Sequence, residues 1–143
     1  MSDIEQPLVD FFLVLQRCMT VADAPGIARL FAPQFLDANP GETRMRANDE
    51  TFVTAMDERL AFLLLAGMRD VKALEIDPTP LGADYTLVRV RWSVWFTPAG
   101  RPDFVEEFLF DYLVHRGGGR FEIAASIAHD ADEEIMRRIG LAG

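Results

Sequence analysis

The chain has 143 residues, 50% of them hydrophobic and 26% charged, which suits a single domain spanning 1–143 with one sizeable core. A formal net charge of −9 excludes a surface built to bind nucleic acid or anionic lipid, since such surfaces need clustered Lys and Arg. No apolar run approaches the roughly 20 residues of a membrane-spanning helix, and the sole cysteine, Cys18, leaves no intrachain disulfide and no Cys-rich zinc site. With no basic-then-apolar leader at the N-terminus, the expected location is cytoplasmic.

Ser2 followed by Glu5 fits a capping box, and Ile4, Leu8, Phe11, Phe12, Leu15 and Met19 recur at helical spacing down to Thr20, so the spacing predicts a first amphipathic helix beginning at Asp3 or Pro7. Asp23 caps a short second helix through Pro25, Ile27, Leu30 and Phe31, stopped by Pro33. Residues 34–47 carry Pro40 and Gly41 without periodicity and read as a loop. Asn48 caps a third helix whose stripe is Phe52, Val53, Met56, Leu60, Leu63 and Leu64, ending at Gly67.

Beyond Gly67 the period changes from helical to alternating. Strands are expected over 71–79, 85–97, 104–115 and 121–128, joined by turns at Pro80–Gly82, Pro98–Pro102 and Gly117–Gly119, which together make an antiparallel meander. A last short helix, capped by Asp130 or Asp132, carries Ile135, Met136 and Ile139. Helices first and a sheet second describe an α+β domain with three N-terminal helices packed on a curved antiparallel sheet and a short C-terminal helix.

Alternation assigns the faces of the strands. On the second strand Val88, Val90, Trp92, Val94 and Phe96 share the face expected to meet the helices. If Arg116 and Gly119 bracket a two-residue turn, Asp111 pairs with Ala124, Leu109 with Ser126 and Glu107 with Ala128, and these small residues are placed inward, beside a hollow. Phe108, Phe110 and Tyr112 then fall on the outer face with Ile123, Ala125 and Ile127, an apolar area that predicts a homodimer through that face, with Trp95 as a contact.

Ala22-Asp23 entering helix two, Leu30-Phe31-Ala32-Pro33 leading to Phe35-Leu36-Asp37-Ala38-Asn39-Pro40, and Asp111 placed before Gly119-Arg120-Phe121 give the chain, over nearly its whole length, a pattern that resembles the NTF2-like (SnoaL-like, cystatin-like) superfamily. The resemblance implies a cone with a cavity between sheet and helices. It leaves the function open, because the superfamily holds isomerases, dehydratases, cyclases, epoxide hydrolases and non-catalytic assembly domains.

The resemblance also implies a role for Asp111, since ketosteroid-isomerase-like members use an aspartate there, kept neutral by an apolar site, to stabilise a developing oxyanion. An apolar stretch such as Phe108–Val114 is expected to raise its pKa unless an arginine such as Arg17, Arg59 or Arg69 pairs with it. The comparison argues against a complete isomerase site: Asn39 stands where the family's proton-shuttling aspartate precedes a proline, and Leu15 stands near its helix-one tyrosine. Asp37 either substitutes as the base or is a solvated turn carboxylate. His129 either pairs with Asp130 at the cavity mouth or is a partly exposed strand-end residue, and two histidines with one nearby acid are too few for a metal site.

The expected partner is a small hydrophobic or aromatic molecule, with no cofactor, nucleic acid or membrane. Its wall would be Trp92, Val94, Phe96, Leu109, Leu113, Ala124 and Ser126 from the sheet and Phe12, Leu15 and Met56 from the helices. Proton transfer or dehydration by Asp111 with His129 or Asp37 is the enzymatic expectation, and a non-catalytic homodimeric assembly or ligand-sensing domain is the alternative.

Overall fold

The computed structural model describes residues 5–140. The N-terminal capping box expected at Ser2 therefore lies outside the described residues. Helix α1 (Glu5–Thr20) seats Leu8, Phe12 and Leu15 in the core, three residues whose spacing puts them on one stripe. Helix α2 (Ala24–Ala28) is short, and Asp23 caps it by accepting from the Gly26 amide at 3.0 Å. Helix α3 (Glu50–Leu65) is capped by Asp49, which accepts from the Phe52 amide at 3.1 Å, and not by Asn48. Asn48 instead donates to the carbonyls of Ala28 and Phe31 at 2.7 and 3.1 Å, tying the end of α2 to the start of α3. Leu64, expected in the buried stripe, is exposed, whereas Phe52 and Leu60 are buried.

Among the described residues six strands, not four, form one sheet in the order β2-β1-β6-β5-β4-β3. They are β1 (Phe31–Asn39), β2 (Glu42–Ala47), β3 (Met68–Pro80), β4 (Tyr85–Phe96), β5 (Phe104–Gly117) and β6 (Arg120–Ala128). Residues 34–47, expected as a loop, are most of the β1–β2 hairpin, turned at Pro40-Gly41. The expected meander holds from β3 to β6, but β1 joins β6 in parallel. Pro33 has no amide to give this ladder, and it lies between Phe31 and Leu36, where the register with β6 shifts. The last helix, α4 (Asp132–Arg138), starts after Ala131 with no side-chain cap, so neither Asp130 nor Asp132 caps it.

The turn between β5 and β6 decides which side chains face inward. Gly117 pairs with Arg120, so the two turn residues are Gly118 and Gly119, with φ of +60° and +80°, values that suit a primed hairpin turn. This turn is one residue later than expected. A bulge between Leu113 and Val114 then adds a further slip, so Asp111 faces Ile127 rather than Ala124. Across β4, Val88 faces Tyr112 and Trp92 faces Phe108, which puts the even-numbered residues of both strands on the helix side.

The expected faces of β5 are thus exchanged. Phe108, Tyr112 and Val114 are buried in the core with Val88, Val90, Trp92 and Phe96, while Leu109, Asp111 and Leu113 lie on the outer face. The inward assignment of β4 stands as expected.

Candidate functional site

A cavity of about 180 Å³ lies between α1, α3 and the sheet. Trp92, Val94 and Phe96 line it from β4, Phe108, Phe110 and Tyr112 from β5, and Ser126 from β6, with Leu15, Met56 and Leu60 closing it from the helices. Its wall is apolar apart from three side chains, Tyr112, Ser126 and Arg59. The Trp92 indole Nε1–H donates to the Tyr112 hydroxyl oxygen at 2.9 Å, and burial pushes the phenol's pKa well above its ordinary value. Tyr112 is therefore a neutral hydroxyl. Its oxygen is occupied by the indole, and its own hydrogen remains for another acceptor.

A second compartment of about 180 Å³ adjoins the first and shares Phe31, Met56, Arg59, Phe110 and Ser126 with it. This outer compartment is the more polar of the two. Asp37 and Asn39, two apart on β1 and so on one face, line it together with Arg44 and Arg46 of β2 and Asp132 of α4. Arg46 Nε donates to Asp37 Oδ2 at 2.7 Å, and Arg44 Nε stands 4.0 Å from the same oxygen. The Asn39 side-chain oxygen accepts from the Gly41 amide at 2.9 Å and so shapes the hairpin turn. Arg59 Nη1 reaches both carboxylate oxygens of Asp132, at 2.9 and 3.0 Å.

The other expected chemical residues gather elsewhere. Asp111 sits on the outer face, 15% exposed, where Arg89 grips it with Nε on Oδ1 at 2.8 Å and Nη2 on Oδ2 at 3.0 Å. His129 Nε2 lies 2.8 Å from Asp111 Oδ2. The Arg89 fork, helped by His129 and opposed by partial burial, holds the Asp111 carboxyl below its usual range. The expected raised pKa is therefore corrected, because the sheet register puts Asp111 opposite Arg89 and not against the helices. His129 does not pair with Asp130, which is bonded to Arg138 at 3.2 Å.

Of the residues expected around a ligand, Leu15, Met56, Trp92, Val94, Phe96 and Ser126 line the inner compartment and Asp37 the outer one. Phe12 is core beside them. Leu109, Leu113 and Asp111 are on the opposite face of β5, and Ala124 sits at the β5–β6 irregularity, outside both linings. The sequence reading missed Tyr112, Phe108, Phe110 and Arg59 as wall residues. The signal for the first three was present: the even-numbered residues of β5 include only one acid, Glu106, whereas the odd-numbered ones include Glu107 and Asp111.

No family model and no curated protein matches the chain. Solved structures do. An NTF2-like protein with a cystatin-like fold from Novosphingobium aromaticivorans matches at a TM-score of 0.72 and 13% identity, covering 95% of this chain and 88% of its own.

The fold is NTF2-like.

The structure of Aln2 from a Streptomyces species is similar at a TM-score of 0.74 and 14% identity, over 96% of this chain and 97% of that one. The association domain of C. elegans CaMKII is similar at 0.68 and 14%, over 87% and 94%. At such identities the likeness carries the NTF2-like architecture alone.

Proposed function

We propose that this NTF2-like domain binds a small, largely apolar organic molecule in the inner compartment, with the Tyr112 hydroxyl donating to an acceptor atom of that ligand. The observation that carries the reading is an apolar chamber in which a neutral hydroxyl, braced by the Trp92 indole, has a hydrogen to give. Size is consistent with one or two fused rings, since an engineered apolar cavity of about 150 Å³ takes up benzene. A ligand-binding function without proton transfer fits this wall best, because Asp111 and His129 are on the far face of the sheet and Asp37 is engaged by Arg46.

The test is titration with 2-naphthamide followed by its fluorescence. Saturable 1:1 binding to the wild type, lost in Val94→Phe, which fills the chamber, is the expected result. Equal binding by a Val94→Phe protein that melts like the wild type would place the probe elsewhere and end the proposal.

A homodimer through the outer sheet face is the second reading, and two observations favour it. Trp95 and Val105, 43% and 55% exposed, stand opposite each other on that face, and one structural neighbour is an association domain. The aromatic side chains first expected there point inward, so this contact would rest on a smaller area. Light scattering over a wide concentration range decides it: dimer mass lost in Trp95→Glu supports the contact, and monomer mass throughout removes it.

A further inference from the structure

Among the described residues Arg59 is the only charged side chain in the wall of the apolar chamber, and it also lines the polar compartment, so it stands at the neck between them. Its attachment leaves part of the guanidinium unspent. Nη1 alone serves Asp132, while Nε and Nη2 have no acceptor among the described residues. Those two donors form the side of the guanidinium that matches the two oxygens of a carboxylate. The two other arginines of the outer compartment are each held by an acid, Arg44 by Glu42 at 2.8 Å and Arg46 by Asp37 at 2.7 Å.

Resting on the ligand-binding reading above, we propose that the natural ligand is an amphipathic organic acid, with its apolar body in the chamber and its carboxylate on the free edge of Arg59. A ligand of this kind matches the apolar wall and the cation at its neck at once, and an acceptor atom on its body would meet the Tyr112 hydroxyl. Its rings or chain displace water from the aromatic walls, and its charge stays at the neck, where it is partly solvated and paired. A carboxylate carried deeper would lose hydration with only the Tyr112 and Ser126 hydroxyls to replace it. The opposite orientation is therefore disfavoured by the placement of the single cation.

The experiment compares 2-naphthoate with 2-naphthamide, a near-isosteric pair that differs in charge, by fluorescence titration at pH 7 and low salt. The wild type is expected to bind the acid about tenfold more tightly than the amide, a preference that Arg59→Gln abolishes by weakening the acid more than the amide. Asp132→Asn, at a solvent-exposed position, removes the competing carboxylate and is expected to strengthen binding of the acid alone. Equal affinities of the wild type for the two probes, with both saturating, would overturn the organic-acid assignment and leave ligand binding standing. Failure of both probes to bind would remove both proposals. An acid preference that survives in a folded Arg59→Gln protein would show that another cation carries it and would overturn the assignment to Arg59.

Discussion

Arg89 and Asp111 face each other across β4 and β5, and their two-pronged ion pair holds a carboxylate on the side of the sheet away from the cavity. The pair accounts for the ionised state of an acid that its apolar neighbours in sequence would otherwise favour as neutral.

A pH dependence follows from the lowered Asp111 pKa. A carboxyl whose folded pKa lies below its unfolded value, about 3.9, contributes stability that is complete above that value and lost as pH falls through the folded one. Asp111→Asn is therefore expected to melt at a lower temperature than the wild type between pH 5 and pH 8, and the margin should close below about pH 4. Differential scanning fluorimetry across that range checks it. A margin that grows as pH falls below about 4 would contradict the ion-pair account.

The buried Trp92–Tyr112 bond predicts an asymmetric mutant series. Tyr112→Phe leaves the indole N–H unpartnered inside the core and is expected to cost about 1–3 kcal/mol in urea unfolding. With Trp92 also replaced by Phe, no donor is left stranded, so the double variant should lose less than the sum of the single variants. Strict additivity would mean that the two groups are not coupled.

Gly67, at the end of α3, has φ of +97°, and a Cβ there would lie 2.5 Å from the Thr97 carbonyl oxygen. Thr97 also donates its amide to the Gly67 carbonyl at 2.7 Å, so this backbone contact has no slack. Gly82 has a similar φ of +88° with nothing near its missing Cβ. Gly82→Ala should cost about 1–2 kcal/mol for the left-handed conformation alone. Gly67→Ala should cost distinctly more, and comparable losses in urea would contradict the steric argument.

Asn48 donates from one amide group to two backbone carbonyls. Asn48→Ala should destabilise by about 1–3 kcal/mol, since both acceptors lose their side-chain partner. Asn48→Asp replaces the donor with an acid facing two acceptors, which raises the folded pKa of the new carboxyl. Stability of that variant should therefore fall as pH rises through that pKa, so it should melt higher at pH 4 than at pH 7 relative to the wild type.

Helices and long strands were legible in the sequence where one period persists, as in Leu8, Phe12 and Leu15 of α1 or the run from Val88 to Phe96 in β4. The β1–β2 hairpin was not. Pro33, Pro40 and Gly41 interrupt its pattern, and its outer strand β2 is mostly exposed, so no apolar alternation marks it. The candidate site was half legible for a different reason. Faces follow from composition within one strand, but neighbouring strands are related by the turn between them, and Gly117, Gly118 and Gly119 allow more than one two-residue turn. A shift at that turn, followed by the bulge near Leu113, was enough to misplace every partner of β5 on β6. Arg59 carried no local signal, because its position at the neck depends on α3, α4 and β6 meeting there.

The parallel pairing of β1 with β6 joins residues about ninety positions apart, and it orders the birth of the domain. As the ribosome extrudes the chain, the early hairpin can pack on α3 through Phe35 and Phe52 but has no further strand to pair with until β6 has emerged, so the polar vestibule is completed late and after the largest loop closure in the fold. Nascent chains cut short before Phe121 should consequently expose that hairpin to proteases.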